Sequence, residues 1–85
     1  MFDAILCLKN REECSAFFGD VCTVNEIISM SQRYEVARML RAGRTYLEIA
    51  EQTGASTATI SRVNRSLNDG NGGYDLVFER LQKDE

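Results

Sequence analysis

The stretch "TYLEIAEQTGASTATISRV", residues 45–63, constrains the fold more than any other part of the chain. Thr45 followed three places on by Glu48 is a capping box, which starts a helix. That helix runs to about Thr53, where Gly54 supplies a residue that tolerates a left-handed backbone. Ser56 can then cap a further helix through about Leu67. Two helices crossing steeply through so short a turn make a helix-turn-helix. Such a crossing needs a small residue on the first helix, a glycine in the turn and a branched apolar residue facing back from the second. Ala50, Gly54 and Ile60 fall at that spacing, and Ile49 and Val63 add apolar contacts. Several independent requirements are met at once.

The rest of the chain agrees. There is no proline, and apolar residues recur at helical spacing, so the sequence predicts an all-α protein. Phe2, Ile5, Leu6 and Leu8 suggest a short first helix ending near Asn10. Residues "REECSAFF" make a second, closed by Gly19. Thr23 and Glu26 form another capping box, opening a longer helix whose apolar stripe is Ile27, Met30, Tyr34, Ala37 and Leu40. Gly43 fits its C-terminal stop. After Leu67 the segment "NDGNGG", residues 68–73, reads as a glycine-rich hinge. Tyr74, Val77, Phe78 and Leu81 belong to a last amphipathic helix that frays into a charged tail over residues 74–85. The expected organisation is one helical domain, 1–85, with dimerisation helices in 1–43 and the helix-turn-helix in 45–67.

Composition excludes several classes. At 85 residues, 44% of them apolar and 27% charged, the chain reads as a single small globular domain. A partner subunit would help so short a chain bury its apolar surface. The longest apolar run, "AILCL", is far too short to span a bilayer, and "MFDAIL" has no basic region of a signal peptide. Neither a membrane nor an export route is expected. Cys7, Cys14 and Cys22 form no C-x-x-C pair, which argues against a disulfide framework; each reads as a small buried hydrophobe. Without histidine there is no Cys–His nucleophile, and no metal-ligand spacing is visible. The expectation is a non-enzyme with no cofactor and no metal.

The outward face of the second motif helix carries the functional reading. Ser56, Thr57, Ala58, Thr59 and Ser61 are small enough for close approach to a DNA groove. Their hydroxyls can bond base edges, and a methyl group can meet a thymine methyl. Arg62, Asn64 and Arg65 suit phosphate or guanine contacts, and Arg44 and Tyr46 suit phosphates at the entry to the first motif helix. No acidic residue occurs from Gly54 through Asn68. The net charge of −3 is segregated: residues 32–67 hold six arginines against three glutamates, whereas both flanking segments are net acidic. A basic middle between acidic ends is what a DNA-facing surface on an acidic protein requires.

The segment from Cys22 to Leu81 resembles the Trp repressor superfamily, most closely its Trp-repressor-related branch of the YerC/YecD type. The run "GASTATISRVNRSL" carries the resemblance, since the repressors have a similar Gly-Ala-x-x-Ala-Thr-Ile-Thr-Arg stretch opening their recognition helix. The resemblance implies a six-helix Trp repressor-like fold and an intertwined homodimer whose N-terminal helices build a shared core, with the family's first helix beginning upstream of Met1. It implies two recognition heads about 34–36 Å apart, on successive major grooves of double-stranded DNA. It also implies a pocket for an amino acid-like corepressor, in which Arg62 and Ser66 match family residues. The second pocket arginine falls on Gln32, a pocket threonine on Cys22 and a glycine beside the indole on Val63. Losing one cation over the ring and gaining valine bulk argues against tryptophan itself. For Arg62 a phosphate contact is preferred to ligand binding.

The resulting expectation is a sequence-specific DNA-binding transcriptional regulator, a repressor with a corepressor other than tryptophan or none. It would act in the bacterial cytoplasm at the nucleoid, with the hinge and outer helices setting the spacing of the heads. The alternative is a helical dimerisation or protein-interaction module that ignores DNA. A docking scaffold does not require an acid-free helix carrying Arg62 and Arg65.

Overall fold

The computed structural model describes residues 1–83 and contains six helices, with no strand among the described residues. They are α1 (Phe2–Leu6), α2 (Arg11–Val21), α3 (Val24–Arg41), α4 (Tyr46–Thr53), α5 (Thr57–Asp69) and α6 (Gly73–Lys83). The expected charged tail at residues 84–85 lies outside the described residues. Backbone packing divides the chain into two units, Met1–Met30 and Ser31 onward.

In the first unit the helix limits differ from the sequence expectation in two places. α1 stops at Leu6, because Asn10 serves α2: its side-chain oxygen accepts from the Glu13 amide at 2.8 Å. α2 does not close at Gly19 but runs through it to Val21, where the Cys22 amide bonds the Phe18 carbonyl at 2.9 Å. A glycine inside a helix weakens it without breaking it. Thr23 and Glu26 form the expected reciprocal box, the Thr23 amide donating to Glu26 Oε1 at 2.8 Å and the Glu26 amide to Thr23 Oγ1 at 3.1 Å. That bond from the Thr23 backbone holds the Glu26 carboxyl below its ordinary range.

This unit leaves apolar side chains uncovered. Phe2 is 75% exposed, Leu6 81% and Val24 73%, and Val21, Ile28 and Met30 are exposed as well. Cys7 and Cys14 are also exposed and Cys22 is half-buried, so the cysteines are not the buried hydrophobes expected. The reason is that no residue of α1 or α2 is buried by the chain itself.

The second unit holds the core. Val36, Ala37 and Met39 of α3 pack with Ile49 of α4, Ala55 of the turn, and Ile60, Val63 and Leu67 of α5. Leu40, Ala50, Tyr74 and Phe78 pack against this cluster. The α3 stripe is therefore wider than expected: Val36 and Met39 join Ala37, whereas Met30 is exposed and belongs to the other unit. α3 ends as expected at Gly43, whose backbone is left-handed with φ of 81°. The Gly43 amide bonds the Leu40 carbonyl and the Arg44 amide bonds the Met39 carbonyl, both at 3.1 Å, a Schellman closure.

Candidate nucleic-acid interface

α4 and α5 form the helix-turn-helix. Thr45 caps α4, its hydroxyl oxygen accepting from the Glu48 amide at 3.2 Å. Gly54 ends α4 at φ 74°, ψ 5°, with its amide on the Ala50 carbonyl. Ser56 then caps α5 by accepting from the Thr59 amide at 3.1 Å. Ala55 is buried in the turn between them. Inside that turn the Thr53 hydroxyl donates to the Ile49 carbonyl at 2.7 Å and accepts from the Ala55 amide at 3.1 Å. The short connection is thus held by its own polar groups as well as by glycine.

α5 is seated by Ile60, Val63 and Leu67, one buried residue per turn. This spacing turns the opposite face outward. Ser56, Thr57, Ala58, Arg62 and Arg65 are exposed, while Thr59, Ser61 and Asn64 lie half-buried along its flanks. Two of the small hydroxyls are engaged within the protein: Ser56 Oγ donates to Thr59 Oγ1 at 3.1 Å in addition to its capping bond. Asn64 accepts from the Asn68 amide group at 3.3 Å. Arg44 and Tyr46 are exposed at the start of α4, but the Arg44 guanidinium is paired with Glu48. That pairing, with the Thr45 hydroxyl, holds the Glu48 carboxyl below its ordinary range.

The arginines of the second unit fall into two sets. Arg38 pairs with Glu35, Arg41 with Asp75 and Arg44 with Glu48. Arg33, Arg62, Arg65 and Arg80 form no ion pair with the described residues, and of these Arg62 and Arg65 lie on the outward face of α5. Charge counting along the sequence missed this division, because an ion pair is visible only once the helices are placed.

The residues aligned with the corepressor pocket are placed as follows. Gln32 donates from Nε2 to the Thr53 carbonyl at 3.1 Å, so its amide ties α3 to the end of α4. Val63 is 2% exposed and fills core space. Ser66 is exposed and lines a cavity of about 480 Å³ with Tyr34, Tyr74, Val77 and Phe78. Neither Gln32 nor Arg62 lines that cavity. Among the described residues no cluster of potential metal ligands occurs, and no helix is long and apolar enough to cross a membrane.

Six helices with a glycine-turned helix-turn-helix at α4–α5 define a Trp-repressor-like fold, and solved structures match it closely. The structure of a TrpR-like protein from Eubacterium eligens superposes with a TM-score of 0.93 at 73% identity, covering 95% of this chain and 84% of that one. A Staphylococcus aureus structure assigned as a Trp repressor matches with a TM-score of 0.92 at 59% identity, covering 95% of this chain and 81% of that one. The model of the Trp repressor protein family matches residues 1–82, and the chain belongs to that family, whose members are transcription regulators and not enzymes. The Bacillus subtilis protein YerC is 58% identical over 85 residues, all of this chain and 82% of YerC.

Proposed function

We propose that the protein is a sequence-specific DNA-binding repressor acting as a homodimer. The observation that carries this reading is the outward stripe of α5. Thr57, Ala58, Arg62 and Arg65 stand exposed on a helix fixed from behind by Ile60, Val63 and Leu67, with no acidic residue in the sequence from Gly54 through Asn68. Thr57 and Ala58 offer methyl groups to thymine, and Ser61 adds a hydroxyl to a base edge. Arg62, Asn64 and Arg65 contact phosphates or guanine. Ser56 and Thr59 shape the first turn through their mutual bonds, and Arg44 and Tyr46 reach phosphates at the start of α4.

Dimerisation is supported by the uncovered Phe2, Leu6, Val21, Val24, Ile28 and Met30 of the first unit. Large apolar side chains left uncovered in one short unit suit burial against a partner. A second copy, interlocked through residues 1–43, covers it and presents two α5 helices to one duplex. The corepressor is one other than tryptophan, or none: the Gln32 amide is engaged with Thr53, and Val63, which stands where the family carries a glycine, is buried in the core. The regulator works at the nucleoid in the bacterial cytoplasm.

The test is selection of bound fragments from the source genome, followed by titration at several salt concentrations, with the mass in solution measured alongside. A dimer that prefers particular fragments is expected. A dimer that binds no fragment even at low salt makes the protein an interaction module instead, binding without preference removes the sequence-specific reading, and a monomer removes the two-headed mechanism.

A further inference from the structure

α5 ends in an electrostatic position that its own sequence does not relieve. The last carbonyls of a helix lack partners and carry partial negative charge, which a cation in the last turn offsets. The last turn of α5 contains no basic residue and closes on Asp69. Arg41, 26 residues before Leu67, occupies that place: its Nη2 donates to the Leu67 carbonyl at 3.1 Å. The same guanidinium forms a two-point pair with Asp75 in the first turn of α6, Nε to Oδ1 and Nη2 to Oδ2, both at 2.8 Å. One side chain at the end of α3 therefore holds the exit of α5 and the entrance of α6.

The corner between those helices is closely defined. Gly70 donates its amide to the Ser66 carbonyl at 3.0 Å, and a Cβ there would lie 2.3 Å from that carbonyl oxygen. Gly72 has φ of 76°. At the turn of the motif Gln32, also on α3, holds the last carbonyl of α4. α3 thus grips α5 from both sides, by the Thr53 carbonyl just before it and the Leu67 carbonyl near its exit, and between those grips lies the face proposed to meet DNA.

We propose that Arg41 is a positioning residue for DNA binding: with Asp75 it locks the α5–α6 corner and so sets the direction in which α5 is presented. The proposal rests on the DNA-binding reading above. It makes residues 68–73 a locked joint, opened by release of Arg41, and not a free hinge.

Asp75→Asn separates this role from simple electrostatics. Removing a negative charge from a DNA-binding protein should strengthen binding if charge alone matters. Positioning predicts the opposite sign, a loss of roughly three- to tenfold in affinity for the preferred fragment, as expected when a coupling contact is broken. The slope of affinity against salt should stay at the wild-type value, since no phosphate contact is removed. Arg41→Lys keeps the charge but loses the planar fork, and should show the same loss. Amide exchange should quicken at Asn71 to Tyr74 in both variants while Ile60 and Val63 stay protected. Wild-type or tighter binding by Asp75→Asn, or exchange that rises equally at Ile60 and Val63, overturns the positioning role. Wild-type protein with no fragment preference overturns the DNA reading itself, and the role of Arg41 in binding falls with it.

Discussion

The Ser56 hydroxyl accepts a hydrogen bond from the Thr59 amide at 3.1 Å and donates to the Thr59 hydroxyl at the same distance. Two residues that look like base readers in the sequence are therefore engaged in building the first turn of α5. Replacing Ser56 by Ala should cost about 1 kcal/mol of stability through the lost cap. Ser56→Asp keeps the cap and suits the positive end of the helix, yet adds an anion to the face proposed to meet DNA. We expect near wild-type urea unfolding for Ser56→Asp together with at least tenfold weaker fragment binding, by the electrostatic cost of a like charge near phosphate. Fluorescence titration and unfolding on the same samples check both.

Arg65→Ala should weaken binding to all fragments about equally and reduce the salt slope by roughly 1, the signature of one phosphate contact. Ala58→Gln should instead change which fragment is preferred, because it alters the groove face without changing charge. Measuring each variant against two fragments distinguishes the outcomes.

Gly54 sits at φ 74°, and nothing lies within 4 Å of where a Cβ would be. The cost of Gly54→Ala is therefore backbone strain, about 1–2 kcal/mol, and not a clash. Gly54→Asn, which tolerates this conformation better, should cost less. Paired thermal unfolding curves should show that order.

Ile60 is fully buried between the motif helices and α3. Ile60→Ala should lower stability by about 2–5 kcal/mol and Ile60→Val by about 0.5–1.5 kcal/mol. Urea midpoints should fall in that order at unchanged slope.

Acid should loosen the helix starts and the α5–α6 corner together. Hydrogen bonds and ion pairs hold Glu26, Glu35, Glu48 and Asp75 below their ordinary values. A carboxyl depressed in the fold contributes stability that is complete above its unfolded value and disappears as pH falls through the folded one. The four contributions should be intact at neutral pH; those of the three glutamates decline below about pH 4.5 and that of Asp75 below about pH 3.8, their ordinary values. Circular dichroism against pH checks this, and Asp75→Asn should show a smaller decline.

What the sequence alone determined is local. Capping at Thr23, Thr45 and Ser56 and the stop at Gly54 are legible because a cap joins residues three apart, and a glycine's freedom belongs to one position. The helix-turn-helix followed from those signals and from Ala50 and Ile60, whereas the family was legible only through the resemblance of the run at residues 54–67 to the repressors. The tertiary structure alone decided which polar groups are free and which are engaged. Gln32 meets Thr53 across 21 residues and Arg41 meets Asp75 across 34, contacts that exist only once helices are packed. The same holds for the α3 core, where Val36 and Met39 join Ala37 because neighbouring helices cover a wider arc than a single stripe. A side chain's reach is a matter of orientation in space, and linear spacing fixes that only within a turn or two of one helix.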